Sequence, residues 1–471
     1  MKAFENLQAF GGCTALCYEG REISYDDLLH QADAIAAHLP ARSLVFLLAE
    51  NVPEAIAGYV GFLSHGVVPV MVDAALDGEL LAGLVARYRP SFLWMPEARV
   101  GEFVGAEEAF SLGSYVLLDR KEPSPFPLHP SLALLMTTSG STGSPKLVRQ
   151  SYENLRANTA SIIEYLSITP KERAITSLPL FYVYGLSILN THLAAGASVV
   201  VTRESVFSRA FWQRMREQAV TSLGGVPYTY AMLRRLRFSR MELPALKTLT
   251  QAGGKLDAEL HAAFAQDCAA KGRRFFVMYG AAETTARMGY LPAELAASHV
   301  GAMGRAIPGG RFALAGEEGA EVTQAGTPGE LVYYGANVAL GYAECGEDLA
   351  RGDDWHGRYA TGDVAVRAAD GIYTIVGRKK RFLKMFGKRT NLEEVEHLLR
   401  QQFGGEFACG GTDDHLYVFL TEEAVLPQVV PYLSAKLGLH PSAFAPRRLA
   451  AIPKNAAGKT LYRELEQYYD V

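Results

Sequence analysis

Two widely separated segments of the chain carry residues that could bind polyphosphate. The first, residues 137–146, reads Thr-Thr-Ser-Gly-Ser-Thr-Gly-Ser-Pro-Lys and follows the apolar pair Leu135-Met136. The second, residues 453–460, reads Pro-Lys-Asn-Ala-Ala-Gly-Lys-Thr. Glycine lets backbone N–H groups turn toward an anion, hydroxyls donate further hydrogen bonds, and lysine supplies positive charge. We therefore predict a phosphate cradle at the first segment, with a Ser/Gly linker between a strand and a helix as the alternative.

The spacing of these residues differs from that of the P-loop motif. That motif requires Gly, four residues, and then Gly-Lys-[Ser/Thr]. Here Gly140, Gly143 and Lys146 lie three residues apart, and in the second segment Pro453 stands where the first glycine should be. The predicted cradle is therefore of another type.

The first segment resembles the phosphate loop of the adenylate-forming superfamily, which includes acyl-CoA synthetases, adenylation domains that load carrier proteins, and firefly-type luciferases. Further segments resemble the family's motifs in the same order. They are the adenine-side turn at residues 251–256, the aromatic and magnesium segment at 279–284, a structural motif at 329–342, the ribose segment at 359–363 and the hinge region at 377–389. Chance explains so many ordered motifs poorly.

The resemblance implies how ATP and Mg²⁺ bind. The phosphate loop would hold the β- and γ-phosphates, and Glu283 would hold Mg²⁺ against them. Tyr279 would stack on adenine, and Asp363 would accept both ribose hydroxyls with Arg378 beside it. The implied ATP-binding residues are Thr138, Ser139, Gly140, Ser141, Thr142, Gly143, Lys146, Gly254, Tyr279, Asp363 and Arg378.

The resemblance also implies which residues promote the chemistry. The ammonium of Lys459 would neutralise charge where the acid meets the α-phosphate, an effect worth roughly 3–4 kcal/mol at typical electrostatic sites. Ala282 stands where the family has threonine, so Thr284 or backbone groups are expected to replace the missing hydroxyl. The implied catalytic residues are Lys459, Glu283 and Thr284.

A change of domain orientation between two half-reactions is also implied. Lys380 would be the hinge, and Lys384 and Gly387 would turn toward the thiol acceptor, either coenzyme A or the phosphopantetheine of a carrier protein. We accordingly predict a large domain over residues 1–377 and a small mobile domain over residues 378–471 that carries the catalytic lysine.

The residue at position 182 indicates which class of carboxylic acid would bind. Adenylation domains for α-amino acids usually place an aspartate in this segment, and an unpaired ammonium in an apolar pocket costs several kcal/mol. Acyl-CoA synthetases commonly have histidine where Tyr182 stands. We predict an aryl or alkyl acid without an α-amino group, although Tyr184 taken alone fits an ordinary core equally well. The predicted pocket residues are Tyr182, Tyr184, Gly185, Val226, Gly253, Gly280 and Ala281.

Hydrophobic patterning predicts the elements that position these residues. Alternating strands and helices run from residue 25 to the segment at 279, with helices at 53–64 and 152–166 among them. Short strands follow, and then an α+β tail. The predicted fold is therefore α/β, with parallel-type sheets and a small β region in a large N-terminal domain, followed by a small α+β C-terminal domain.

Composition narrows the class of protein. The 471 residues contain 46 basic and 50 acidic side chains, so no electrostatic footprint for nucleic acid is present. Five irregularly spaced cysteines indicate neither a disulfide framework nor a zinc site, and the N-terminus lacks a secretory signal, so we expect a cytoplasmic protein. The uncharged stretches 55–72 and 174–202 contain proline and histidine, which favours buried core elements over membrane spans.

These observations predict a ligase that adenylates a carboxylic acid with release of pyrophosphate and passes the acyl group to coenzyme A. Two alternatives remain at this point. One is an acyl-AMP ligase that loads a carrier protein, and the other is a nucleotide-binding module without ligase activity, for which Ala282 is the best argument.

Overall fold

The computed structural model describes residues 6–137, 146–316, 319–379, 381–385, 388–412, 415–455 and 458–469. The chain forms two compact units. The first comprises Met1–Phe312 and Tyr333–Tyr359, and the second comprises Ala313–Val332 and Ala360–Val471. The predicted division at residues 377 and 378 concerns domains that move, so it stays a prediction.

The helices begin where local sequence signals place them. Ser24 accepts a hydrogen bond from the Asp27 backbone N–H and caps α1, and Ser151 caps α4 in the same way through Asn154. The helices in the described residues are α1 (Tyr25–Ala36), α2 (Pro53–Ser64), α3 (Gly78–Tyr88), α4 (Tyr152–Leu166), α5 (Val183–Ala194), α6 (Arg209–Glu217), α7 (Pro227–Arg235), α8 (Ala258–Ala270), α9 (Leu392–Phe403), α10 (Leu426–Leu437) and α11 (Tyr462–Leu465).

The strands are short and most are buried. The strands in the described residues are β1 (Thr14–Tyr18), β2 (Arg21–Ser24), β3 (Leu44–Ala49), β4 (Val68–Asp73), β5 (Phe92–Pro96), β6 (Glu107–Leu112), β7 (Tyr115–Asp119), β8 (Leu132–Thr137), β9 (Leu147–Ser151), β10 (Arg173–Ile175), β11 (Ser198–Val201), β12 (Ser222–Gly225), β13 (Thr248–Gln251), β14 (Arg274–Tyr279), β15 (Gly289–Leu291), β16 (Arg305–Ala306), β17 (Gly310–Ala315), β18 (Gly329–Gly335), β19 (Gly341–Ala343), β20 (Arg358–Arg367), β21 (Tyr373–Arg378), β22 (Phe382–Met385), β23 (Lys388–Asn391), β24 (Phe407–Thr412), β25 (His415–Leu420) and β26 (Phe444–Arg448).

Two mixed sheets build the first unit. A nine-stranded sheet has the order β16-β15-β14-β13-β12-β10-β11-β1-β2, and an eight-stranded sheet has the order β19-β9-β8-β4-β3-β5-β7-β6. The central strands of the first sheet, from β11 to β14, run parallel, as do β3, β4, β5 and β8 in the second. The predicted α/β fold with parallel-type sheets is confirmed.

Helices α1, α2 and α5 share one core with both sheets. Their apolar side chains cluster with Leu16 and Val199 of the nine-stranded sheet and with Leu47 and Ala133 of the eight-stranded sheet. This placement explains why α2 is buried on nearly every face and why its sequence is almost uniformly apolar. The other face of the eight-stranded sheet packs against α3.

The second unit contains smaller sheets. A four-stranded sheet has the order β17-β18-β20-β21, a hairpin pairs β22 with β23, and a three-stranded sheet has the order β24-β25-β26. Helices α9 and α10 pack on the last of these sheets around buried residues such as Val395, Val418 and Val429.

The two uncharged stretches considered as membrane spans are internal elements. They form α2 with β4, and β10, α5 and β11. Among the helices that the structure describes, none is both long and apolar enough to cross a bilayer.

Candidate active site

The loops that carry the predicted motifs of the first unit follow neighbouring strands. β12, β13 and β14 run parallel and end before Val226, Ala252 and Gly280 respectively. Because the carboxyl ends of parallel strands lie at one edge of a sheet, these loops come together there. Open α/β sheets bind their ligands at such an edge.

The predicted phosphate cradle connects β8 to β9. Residues 138–145, which include Thr138, Ser139, Gly140, Ser141, Thr142 and Gly143, lie outside the described residues. The two strands pair antiparallel from Thr137 opposite Leu147, so the ends of the connection are close together. Lys146, the last residue before β9, has its ammonium 3.5 Å from the centroid of the Tyr342 ring.

Glu283 lies on a short turn after β14. Hydrogen bonds from other segments of the chain hold the backbone carbonyls of this turn. The Gln150 amide donates to the carbonyls of Ala282 and Thr285, at 3.0 and 3.3 Å, and the Ala339 N–H donates to the carbonyl of Glu283 at 2.9 Å. Buried carbonyls that are satisfied in this way keep one backbone conformation. The half-buried Glu283 side chain therefore projects from a fixed support.

Thr284 takes part in the same support. It is fully buried, its hydroxyl donates to the Ala281 carbonyl at 3.2 Å, and its own carbonyl accepts from the Asn337 amide at 2.9 Å. Its hydroxyl thus has an internal partner. A direct role for Thr284 in replacing the hydroxyl absent at Ala282 stays a prediction.

Tyr342 links the predicted magnesium ligand to the predicted phosphate lysine. Its hydroxyl donates to Glu283 Oε1 at 2.7 Å, while its ring lies against the ammonium of Lys146. Burial, together with the negative charge of Glu283, raises the pKa of the Tyr342 hydroxyl, so it remains a hydrogen-bond donor. One side chain therefore holds a carboxylate and a cation at fixed positions.

Arg149 explains why Tyr342 is held so firmly. Its guanidinium is fully buried, donates to the Tyr342 carbonyl at 3.0 Å and forms an ion pair with Asp354. In addition, Tyr342 of β19 pairs with Val148 of β9, two residues after Lys146. Strand β9, which follows the predicted phosphate cradle, and strand β19, which carries Tyr342, are thus hydrogen-bonded neighbours in one sheet.

This arrangement fits a Mg²⁺ ion that is shared with phosphates. Mg²⁺ is typically held by one or two protein carboxylates together with water and phosphate oxygens. Glu283 offers one half-buried carboxylate beside a lysine, and no group of three or more metal-ligating side chains occurs in the described part of the chain. A dedicated all-protein metal cage is therefore not formed by these residues.

The predicted acid pocket is lined by aromatic and small residues. The rings of Tyr182 and Tyr184 meet edge to face, with centroids 6.3 Å apart. The Tyr182 hydroxyl and the Val226 side chain approach Gly253 so closely that a Cβ added there would lie 2.5 Å from that hydroxyl. Burial raises the pKa of Tyr182 to about 12, so its hydroxyl is uncharged at neutral pH. Tyr182, Tyr184, Val226 and Gly253 are therefore brought together.

The remaining small residues permit close backbone packing. A Cβ on Gly185 would lie 2.2 Å from the Pro179 carbonyl, and one on Gly280 would lie 1.8 Å from the Ala286 carbonyl. Gly254 accepts a hydrogen bond from the Gln251 amide at 2.9 Å, and Ala281 is half-buried. Gly185 and Gly280 are thus required by packing whether or not they also line a pocket.

Tyr279 ends β14 directly before these glycine-rich residues. It is half-buried, it pairs with Gly289, and its carbonyl accepts from the Met288 N–H at 2.9 Å. Its predicted stacking on adenine stays a prediction.

The second unit carries the predicted ribose residues on adjacent strands. Asp363 of β20 pairs with Arg378 of β21, and Arg378 Nε donates to Asp363 Oδ1 at 2.9 Å. The Thr361 hydroxyl accepts from the Asp363 N–H at 3.0 Å, within strand β20. The structure therefore brings Asp363 and Arg378 together, and their contact with the ribose stays a prediction.

Lys459 lies in a tight loop of the second unit. Its N–H donates to Asn455 Oδ1, and its carbonyl accepts from the Asn455 N–H, both at 2.9 Å. Lys384 is a residue of β22, whereas Lys380 and Gly387 lie outside the described residues. The roles of these four residues stay predictions.

Sequence reasoning misses the contacts of Tyr342 with Glu283 and Lys146. It places Gly341-Tyr342 in a structural motif, and nothing in the order of residues indicates that this tyrosine reaches Glu283, which lies 59 positions earlier. The one feature of the sequence that could have pointed to this residue is its position at the end of the 329–342 motif.

Comparison with known protein families agrees with this geometry. The profile of the AMP-binding enzyme family matches residues 3–343. The sulfoacetate–CoA ligase of Cupriavidus necator is 31% identical over 72% of this chain and 68% of its own length. The indoleacetate–CoA ligase of Aromatoleum aromaticum is 26% identical over 82% of this chain and 80% of its own length.

Longer proteins also match. One component of the linear gramicidin synthase of Brevibacillus parabrevis is 28% identical over 82% of this chain, which spans only 8% of that protein. Among solved structures, the ATP-bound MatB of Rhodopseudomonas palustris superposes with a TM-score of 0.80 over 100% of this chain and 99% of that one, at 22% identity.

The chain belongs to the family of AMP-binding enzymes. The predicted superfamily is thereby confirmed, as is the predicted class, an AMP-forming acid–thiol ligase. The alternative of a nucleotide-binding module without ligase activity is not supported.

Proposed function

We propose that this enzyme activates an aryl or alkyl carboxylic acid and transfers the acyl group to coenzyme A. In the first step, a carboxylate oxygen attacks the α-phosphorus of ATP and the bond to pyrophosphate breaks. In the second step, the coenzyme A thiol loses its proton and attacks the acyl carbonyl, and AMP leaves.

The observation that carries this proposal is the group formed by Lys146, Tyr342 and Glu283. In this group, the Tyr342 ring contacts the Lys146 ammonium and the Tyr342 hydroxyl donates to the Glu283 carboxylate, at the end of the predicted phosphate cradle. Lys146 would bind phosphate oxygens and Glu283 would hold Mg²⁺, which stabilises the charge that develops on pyrophosphate. Tyr342 positions both side chains.

The second unit supplies the other proposed roles. Asp363, held by Arg378, would accept the ribose hydroxyls, and Lys459 would neutralise charge at the α-phosphorus. Lys380 would be the hinge between the two steps, and Lys384 and Gly387 would serve the thiol side.

The pocket residues support an acid without an α-amino group. The phenols of the half-buried Tyr182 and the buried Tyr184 stay uncharged at neutral pH, and a neutral phenol cannot offset a buried ammonium. The charged side chain that acts on both phenols is the cation Arg287, which would repel an ammonium. The acids named for the relatives, indoleacetate and sulfoacetate, also lack an amino group.

The relatives support coenzyme A as the acceptor of the acyl group. Two of them are CoA ligases that this chain covers over at least two thirds of their length. The gramicidin synthase component, of which the chain spans a small fraction, supports the second candidate, transfer to the phosphopantetheine of a carrier protein.

A cytoplasmic location is part of the proposal. Its support is that all five cysteines are free thiols, two of them exposed or half-buried, as is usual in a reducing compartment.

Acid-dependent exchange of pyrophosphate into ATP, followed by thioester formation, tests this function. A panel of benzoate-like, cinnamate-like and C4 to C10 acids is compared with their α-amino analogues, with and without coenzyme A. We expect the acids to exceed their amino analogues by about 10²-fold, and thioester to form only with coenzyme A. Exchange with amino acids alone would contradict the acid assignment, and thioester formed only on a carrier protein would contradict the acceptor.

A further inference from the structure

A small cavity lies between α4, α5 and the nine-stranded sheet. It leaves about 30 Å³ for the centres of water-sized groups. One such group needs about 10–15 Å³ by this measure, so the cavity has room for a group the size of a carboxylate. Its polar lining consists of Glu172, Thr191, His192, Ser222, Thr248, Thr250, Arg274 and Arg287.

The cavity adjoins the predicted acid pocket through Tyr184. The ring of Tyr184 meets Tyr182 on one edge, and the guanidinium carbon of Arg287 lies 4.4 Å from its centroid. The Tyr184 hydroxyl bonds to Thr250 Oγ1 at 2.8 Å, and Thr250 lines the cavity. Tyr184 therefore contacts both Tyr182 of the predicted acid pocket and the Arg287 side chain.

Arg287 is a buried cation without a matching anion. Only 2% of its surface is exposed, and its Nε has no hydrogen-bond partner in the described part of the chain. No ion pair with an acid is formed by Arg287 among those residues either. A buried guanidinium without an anion carries a large desolvation penalty, whereas a bound anion would offset that penalty.

The other ionisable groups around the cavity already have partners. Glu172 pairs with Lys247 at 3.8 Å, and Arg274 donates to the Leu166 carbonyl at 2.8 Å and to Thr248 Oγ1 at 2.9 Å. His192 is uncharged at neutral pH, because burial lowers its pKa to about 4. Of the two arginines that line the cavity, Arg287 is the one with an unpartnered donor, its Nε, in the described part of the chain.

The positive charge of Arg287 acts on the buried Tyr184 and on the half-buried Tyr165. Burial raises the pKa of Tyr165 to about 12 and also raises that of Tyr184, while the positive charge of Arg287 opposes both shifts. Both tyrosines also form side-chain hydrogen bonds with Arg287, so neutral phenols satisfy part of its guanidinium, while its Nε is left without a hydrogen-bond partner among the described residues.

We propose that Arg287 binds a second anionic group of the substrate, a carboxylate or a sulfonate, at the end distant from the carboxylate that is adenylated. The planar guanidinium can donate two parallel hydrogen bonds to such a group. This inference rests on the proposed function and narrows the substrate class from aryl or alkyl acids in general to those that carry a second anionic group.

Matched acid pairs on the wild-type enzyme test the inference without any substitution. Pentanoate is compared with glutarate, hexanoate with adipate, and benzoate with 1,4-benzenedicarboxylate, by acid-dependent pyrophosphate exchange. We expect the diacid of at least one pair to exceed its monoacid in kcat/KM by about 10²-fold, since the cavity's cation is otherwise left unpaired. Monoacids that equal or exceed their diacid partners in every pair would overturn the inference and leave the proposed function intact.

Variants at Arg287 test whether this residue causes the preference for diacids over monoacids. In Arg287→Met the ratio of diacid to monoacid kcat/KM should fall by about 10²-fold, and Arg287→Lys should recover part of it through its charge. Arg273→Met is the matched control, because Arg273 is a half-buried arginine of the same region that donates to the Leu243 carbonyl and does not line the cavity.

Thermal unfolding of each variant separates selectivity from misfolding. If Arg287→Met fails to fold, the wild-type pairs and Arg287→Lys decide the question. A diacid preference that persists in folded Arg287→Met would refute the assignment to Arg287. Absence of exchange with every acid in the panel would instead overturn the proposed function itself, and this inference with it.

Discussion

Replacing Tyr342 with phenylalanine tests the group that carries the proposed function. The substitution removes the hydroxyl that donates to Glu283 at 2.7 Å and leaves the ring that lies 3.5 Å from the Lys146 ammonium. Glu283 would then lose the partner that orients it. We expect weaker use of Mg²⁺ with ATP and little change in the KM for the acid.

The size of the effect follows from the kind of hydrogen bond. A hydrogen bond to a charged group contributes about 1.5–3 kcal/mol, and each 1.4 kcal/mol is a factor of ten. Because Tyr342 is half-buried, the lower part of this range applies. We therefore expect kcat/KM for ATP to fall by about 10- to 30-fold.

Pyrophosphate exchange measured over a range of Mg²⁺ concentrations is the assay. The Mg²⁺ concentration for half-maximal exchange should rise in Tyr342→Phe. Tyr342→Leu should lose a further factor, since the contact of the ring with Lys146 is worth about 0.5–2 kcal/mol.

A matched control comes from the neighbouring strand contact. The Tyr88 hydroxyl donates to the Ala343 carbonyl at 2.9 Å, next to Tyr342 but away from Glu283. Tyr88→Phe should lower thermal stability and leave the Mg²⁺ dependence unchanged. Wild-type Mg²⁺ dependence in Tyr342→Phe would refute the positioning role of this hydroxyl.

The other predictions concern the second unit. Lys459→Ala should reduce pyrophosphate exchange by about two to three orders of magnitude, while thioester formation from supplied acyl-adenylate survives; equal loss in both would exclude this role. Asp363→Ala should raise the KM for ATP more than that for the acid, and the reverse pattern would rule out a ribose contact. Lys380→Pro should preserve exchange and block thioester formation, with enzyme-bound acyl-adenylate accumulating, unless no reorientation occurs at this residue. Glu396→Gln should lower the free energy of unfolding in urea by about 3–5 kcal/mol, because Glu396 is the buried partner of Arg381 at 2.7 Å; a change below about 1 kcal/mol, within the range of an exposed ion pair, would contradict that assignment.

Local signals predict the regular elements well. The helices Pro53–Ser64 and Tyr152–Leu166 have the predicted bounds. A proline in the first turn marks the start of one, and a serine cap marks the start of the other. Both signals involve residues next to each other in sequence, so they can be recognised without the fold.

Contacts between distant segments could not be predicted in this way. The hairpin of β1 and β2 joins the nine-stranded sheet because Leu16 pairs with Val199, which lies 183 positions later. Its register depends on a strand that the local sequence does not contain. The same limit applies to Tyr342 and Glu283.

Arg287 shows a second limit. A charged side chain usually lies at the surface, so its sequence position gives no reason to expect a buried cation beside the acid pocket. Only the packing of α4, α5 and the sheet places its guanidinium against Tyr184. The tyrosines and glycines of the predicted acid pocket stand in motifs, whereas Arg287 stands outside them.

Isotope transfer from the acid to AMP tests the central claim most directly. The acid is labelled with ¹⁸O in both carboxylate oxygens and incubated with the enzyme, ATP, Mg²⁺ and coenzyme A, and the products are analysed by mass spectrometry. Attack of the carboxylate on the α-phosphorus predicts AMP that carries one ¹⁸O, together with unlabelled pyrophosphate. Formation of ADP with ¹⁸O in inorganic phosphate, or of AMP without label, would contradict the account.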